Sequence, residues 1–320
     1  MESPQKLNRH GSIEEIYRNF VLLAERNETV DFLDAEHDQK RSEKATSFAT
    51  QFRVYDAQKQ ELPLEIRECD LYIVTGSPSS AYDQEEWIQH LEDFVRSADR
   101  IKHPLIGICF GHQIVAQALG GKVGKSGKGW GIGVHTYSWK KVMDNRVIIM
   151  SNHFCTTIAD FSVFVSYISK NSFRKIEHPW FSPRIDTVKA VASHQDQVIE
   201  MPPKAKLLAG SSFCPIGMFA VGEHIWTIQT HPEFTTEFAK DLYSLRSHRF
   251  ADNEYKYAVE SLNFQTDAGI VSHWIASFLL YHRKNQYCQT EKLHVIATGF
   301  RVVVMSTLMM LLCRRLGHFI

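Results

Sequence analysis

The chain predicts an α/β fold, three layers built around a mostly parallel central sheet, on two observations. Four-residue apolar runs such as Leu71–Val74 and Leu105–Ile108 alternate with amphipathic helical blocks, the pattern of strands buried on both faces by crossover helices. The composition is also that of a packed globular protein: 44% of the 320 residues are hydrophobic and 12% aromatic, enough to fill a large core.

In chain order, residues 1–50 read as a polar segment with one helix. Ile13, Ile16, Tyr17, Phe20 and Leu23 recur at helical spacing and share a face. The main domain is expected over residues 51–280. Its first strands fall at 52–55, 71–74 and 105–108, with a helix at 85–97 that carries Trp87, Ile88, Leu91, Phe94 and Val95 on one side. A second helix begins after residue 109, with Ile114, Val115, Ala118 and Leu119 apolar. Further strands are expected at 188–191, 206–209, 218–221 and 225–228, and helices at 235–249 and 269–281. Between 141 and 183 the periodicity is lost, so that stretch reads as an insertion outside the central sheet, packed loosely on its periphery. Residues 281–320 form a C-terminal extension. Its unbroken apolar run, 302–313, is shorter than the roughly 20 residues that span a bilayer, so a tail helix packed on the body or a poorly specified extension is expected rather than a membrane anchor.

Charge narrows the partners. With 36 Lys+Arg against 36 Asp+Glu, the chain has no basic field to hold nucleic acid, and none is expected as a partner. Six cysteines, at 69, 109, 155, 214, 288 and 313, lie without a C-x-x-C pair, and no apolar leader follows Met1. A reduced, cytoplasmic protein is expected.

The residues that promise chemistry begin with Gly107-Ile-Cys109-Phe-Gly111-His-Gln113, directly between a strand and a helix. A nucleophile flanked by glycines at such a turn is held in a strained conformation and exposed at the end of the sheet. The helix N-terminus favours the thiolate. A base and an acid to orient it are offered by Thr230-His231-Pro-Glu233-Phe234. The residue before proline is extended, and positions i and i+2 of extended chain point the same way. Two weaker motifs are set aside. Gly124-Lys-Ser126 lacks the earlier glycine of a phosphate-binding loop, because Leu119 stands there. His153-Phe-Cys155 has no second ligand pair at metal spacing, so neither metal nor cofactor is expected.

These pieces together resemble a class I glutamine amidotransferase domain, of the free-standing kind similar to the glutaminase part of GMP synthase and to gamma-glutamyl peptidases. The matching stretches are residues 74–78, 104–113, 129–134, 193–198 and 228–234, in order along the chain. The resemblance implies a flavodoxin-like fold with Cys109 as nucleophile, His231 as base and Glu233 as the acid that orients it. It implies an oxyanion hole from the backbone amides of Gly76 and Phe110. Gln113, His194 and Asp196 are placed near the amino-acid end of the substrate, the last two on a loop. Family members usually begin with a hydrophobic strand at the centre of the sheet; here no such strand precedes the helix at Ile13, so the first strand reads as missing.

The expected activity is hydrolysis of the γ-glutamyl amide of glutamine, or of another γ-glutamyl compound, through a Cys109 thioester. Two alternatives stand beside it: a catalytically silent binding protein with the same fold, and a glutaminase that delivers ammonia to a separate synthetase subunit. Residues 281–320 are too few to form a synthetase domain.

Overall fold

The computed structural model of the chain describes residues 5–24, 50–139, 141–143, 173–175, 178–289 and 300–306. In order, the elements are α1 (Gln5–Asn8), α2 (Ile13–Leu22), β1 (Thr50–Asp56), β2 (Leu71–Val74), α3 (Glu86–Arg100), β3 (Leu105–Ile108), α4 (Phe110–Ala118), β4 (Lys122–Lys125), β5 (Gly131–Trp139), β6 (Lys141–Met143), β7 (Phe173–Lys175), β8 (Thr187–His194), β9 (Asp196–Glu200), β10 (Ala205–Gly210), β11 (Met218–Val221), β12 (Ile225–Ile228), α5 (Thr236–Leu245), α6 (Asp252–Ser261), α7 (Ala268–Gln289) and β13 (Phe300–Ser306).

Nine of the described strands form one sheet in the order β1-β13-β2-β3-β12-β11-β10-β5-β8. The run from β1 to β12 is parallel, and the rest, from β12 to β8, is antiparallel. Period-two alternation sorts the side chains of the parallel strands between two layers. Leu71, Ile73, Ile106 and Ile108 pack with Ile13, Phe20 and Val21 of α2 and with Val271, Trp274 and Phe278 of α7. Tyr72, Val74 and Leu105 face the other way, against Trp87, Leu91 and Phe94 of α3 and Ile114 of α4. Helices thus cover both faces, and the carboxyl ends of β2, β3 and β12 converge where α4 begins.

Several expectations change. The C-terminal apolar run does not start as a helix: residues 300–306 form β13, paired in parallel with β1 on one side and β2 on the other. A β-branched run of strand length is equally suited to a strand within a sheet, and here it adds a parallel strand between β1 and β2. Residues 307–320 lie outside the described residues. The N-terminal helix is part of the main core rather than an appendage, since Ile13, Tyr17, Phe20 and Val21 are all buried. Of the 141–183 stretch, β6 and β7 pair with each other in a separate two-stranded sheet, outside the central one. Its end is not loosely packed, however: Trp180 and Phe181 are buried against Trp226, Trp274 and Phe278. Large aromatics bury too much area to be left on a periphery. Gly124 and Lys125 belong to β4, which pairs with β9, so that region is a strand and not a phosphate loop. His153 and Cys155 lie outside the described residues. Among the described residues, no helix is long and apolar enough to cross a membrane.

Candidate active site

Cys109 stands at the N-cap of α4, immediately after β3, with φ 55° and ψ −103°. That is a positive-φ conformation which a residue bearing a Cβ adopts only under strain. The turn is tight because the backbone closes on itself on both sides. A Cβ on Gly107 would meet the Gly111 carbonyl at 2.4 Å, and one on Gly111 would meet the Val74 carbonyl at 2.0 Å. Backbone bonds hold the bend: the Cys109 amide donates to the Ile228 carbonyl at 2.9 Å and the Gly111 amide to that of Thr75 at 3.2 Å. The elbow is therefore clamped between the ends of β2 and β12.

His231 follows β12 and is fixed from three directions. Its backbone amide donates to the Val191 carbonyl at 2.6 Å. Its ring lies flat against Phe234, centroids 4.1 Å apart and planes within 3°. Its Nδ1 donates to Glu233 Oε1 at 2.7 Å, and Cys109 lies close enough to act on the charge of the ring. The extended pre-proline geometry expected for residues 231–233 thus places base and carboxylate side by side. Burial alone lowers the proton affinity of the imidazole, but the Cys109 anion, followed by the Glu233 carboxylate, outweighs it and raises its pKa to about 10. Other histidines do not compete. His112 binds Thr227 Oγ1 at 2.8 Å, and burial pushes its pKa down to about 3. His194 is pushed to about 3 as well, by burial and then by His135. Among the thiols, burial pushes Cys214 up to about 12, which keeps it protonated at neutral pH.

Gly76, two residues past the end of β2, lies beside the thiol and the ring. A Cβ there would sit 2.7 Å from His231 Cε1 and 3.7 Å from Cys109 Cβ. The Phe110 amide belongs to the first turn of α4, where amides have no acceptor within the helix.

The residues expected near the amino-acid end of a substrate form one network, though His194 and Asp196 end and begin strands (β8 and β9) instead of lying on a loop. The Asp196 carbonyl accepts from Gln113 Nε2 at 2.9 Å and lies 3.1 Å from His194 Nδ1. The Asp196 carboxylate accepts from Ser80 at 2.6 Å and Tyr82 at 3.2 Å. Two residues to which the sequence assigns no role also join the site. Gln229 accepts from Gln113 at 3.1 Å and donates to Cys109 Sγ at 3.6 Å. Its place within the 228–234 motif is the one signal that points to it. Tyr17 donates to Glu233 Oε1 at 2.8 Å, and nothing in its helical spacing points to residue 233. No group of three or more potential metal ligands occurs among the described residues.

The chain is thus a three-layer α/β fold with a cysteine on a strained strand-to-helix elbow, and a histidine and a glutamate just beyond the end of the neighbouring strand β12. A family model described as Glutamine amidotransferase class-I matches residues 30–245, and the chain belongs to that family. Gamma-glutamyl peptidase 3 of Arabidopsis thaliana is 31% identical over 186 residues, 58% of this chain and 63% of that protein. The match thus spans less than two thirds of the relative's length. A glutamine-hydrolyzing GMP synthase subunit of Pyrococcus furiosus is 30% identical over 53% of this chain and 70% of its own. Among solved structures, a glutamine amido transferase from Methylobacillus flagellatus aligns over 77% of this chain and 88% of its own, with TM-score 0.53 and 22% identity. That likeness speaks for the fold.

Proposed function

We propose that the chain hydrolyses a γ-glutamyl amide bond, with Cys109, His231 and Glu233 as nucleophile, base and orienting acid. The observation that carries this reading is the strained thiol at a helix N-terminus, close to a histidine whose Nδ1 is held by a buried carboxylate. The Cys109 thiolate attacks the γ-carbonyl carbon, and the carbonyl oxygen takes the negative charge. The amides of Phe110 and Gly76 stabilise that oxygen. His231 gives its proton to the departing amine as the C–N bond breaks, leaving a γ-glutamyl thioester. Water then attacks the thioester, His231 takes its proton, and the C–S bond breaks to free glutamate and restore the thiolate. Gln113, His194 and Asp196 hold the amino-acid end of the substrate.

The substrate is a γ-glutamyl compound of the kind named for the gamma-glutamyl peptidases, supported by the 31% identity to one of them. The similarity to the glutamine-hydrolyzing GMP synthase subunit favours a second reading, in which glutamine is the substrate and a separate synthetase consumes the ammonia. Steady-state release of ammonia from glutamine and of amino acid from γ-glutamyl dipeptides distinguishes the two. Under either reading, Cys109→Ser lowers turnover by at least about 10³-fold with substrate binding retained, because a hydroxyl is a far weaker nucleophile than a thiolate. Wild-type turnover in that variant would overturn the proposal.

A further inference from the structure

The carboxylate that orients His231 is itself held by a residue more than two hundred positions away in the chain. Glu233 is buried, and its Oε2 has no hydrogen-bond partner among the described residues. Both of its side-chain contacts therefore fall on Oε1: His231 Nδ1 at 2.7 Å and the Tyr17 hydroxyl at 2.8 Å. The tyrosine, 1% exposed, arrives in a prescribed place because α2 is fixed at both ends. A capping box joins Ser12 and Glu15 at its start, with bonds of 3.2 and 2.6 Å. At its end the Ala24 amide donates to Ser272 Oγ of α7 at 3.1 Å. Ile13, Phe20 and Val21 press the same face into the core.

We propose that Tyr17 is a positioning residue for the reaction: its hydroxyl locks the Glu233 carboxylate in the orientation that receives the His231 Nδ1 proton. The inference rests on the Cys109–His231–Glu233 assignment proposed above. Three features support it. A carboxylate fixed at one oxygen by a single donor is free to rotate, whereas two donors on that oxygen set its plane. Hydrogen bonds to an ionised group are the strong ones, and a phenol in this place is a dependable donor. Burial, then the Glu233 carboxylate, holds the Tyr17 hydroxyl protonated well above its ordinary range. The charged and titratable groups around this assembly are Cys109 and His231, with Tyr137, His194, Cys214 and Arg246 further out.

The test compares Tyr17→Phe with two kinds of control in the full chain, using γ-glutamyl dipeptide hydrolysis across pH. Removing the hydroxyl is expected to lower kcat about tenfold with KM within twofold, and to displace the pH profile of kcat, because a charge-assisted bond that holds the triad's acid in place is lost. Phe20→Leu loosens the same helix without touching Glu233. It is expected to lower the melting temperature and leave the pH profile in place. Tyr17→Phe with wild-type kcat and profile overturns the inference, as does a kcat loss that Phe20→Leu reproduces with the same profile. His231→Ala and Glu233→Gln are run beside them. If those two retain turnover, the triad assignment itself fails; if they lose it while Tyr17→Phe does not, the positioning role alone fails.

Discussion

Replacing Gly76 by alanine should separate the site's geometry from its chemistry, since it adds one methyl group and removes no functional group. In the structure that methyl would lie 2.7 Å from His231 Cε1, roughly 1 Å inside ordinary carbon–carbon contact. The ring cannot yield cheaply. It is bonded to Glu233 at 2.7 Å, stacked on Phe234 at 4.1 Å, and its backbone is bonded to Val191. Relief must come from displacing the imidazole relative to Cys109 or from moving the end of β2. A misplacement of about 1 Å in a reacting pair costs on the order of 10²-fold in rate, while overpacking of this kind costs about 1–3 kcal/mol of stability. Gly76→Ala should therefore lower kcat for ammonia or amino-acid release about 10²-fold, yet remain folded by circular dichroism with a cooperative melt. If the variant keeps kcat within threefold of wild type, His231 does not act from the position seen here.

Three further outcomes follow from the same geometry. Because the Cys109 anion is the largest influence raising the His231 pKa to about 10, Cys109→Ser should lower that value, observed by NMR titration of the labelled imidazole; an unchanged value would mean that no thiolate–imidazolium pair exists. In the wild type, acylation should hold through neutral pH and decline as pH approaches 10, since His231 must carry the proton it delivers; a rate that climbs through that range contradicts the role of His231 as acid. Val303→Pro removes a backbone donor from β13, which pairs with β1 and β2 on its two sides. The unsatisfied partner costs about 1–3 kcal/mol, so the melting temperature should drop by roughly 5 °C, with faster amide exchange in β2; a melt like that of wild type would mean that β13 is not part of the sheet.

Legibility in the sequence follows burial. β2, β3, β11 and β12 are each buried at all four positions, and such strands appear in sequence as uninterrupted apolar runs with visible ends. β5, only partly buried and carrying two glycines, offers neither a continuous run nor clean alternation; only its start is marked, by the 129–134 motif. β13 misleads because an apolar run of that length suits a strand or a helix equally, and its partners, residues 50–56 and 71–74, lie far earlier in the chain. At the site, Cys109, His231 and Glu233 are legible because local rules act on them: an elbow needs its glycines, and a pre-proline histidine is extended. Tyr17 and Gln229 are not. Their roles arise from a helix and a strand end meeting across the fold, and the residues beside them in sequence do not encode that meeting.

Central to the proposed mechanism is a Cys109 thiolate that attacks a γ-glutamyl carbonyl, and covalent labelling tests it directly. Incubation with a glutamine-analogue electrophile such as 6-diazo-5-oxo-norleucine, read by intact mass and peptide mapping, should give one adduct per chain, on Cys109. The Cys109→Ser variant should give none, and excess glutamine should slow the labelling. Adducts on Cys69 or Cys214 instead, or turnover of γ-glutamyl substrate by a chain that never labels at Cys109, would contradict it.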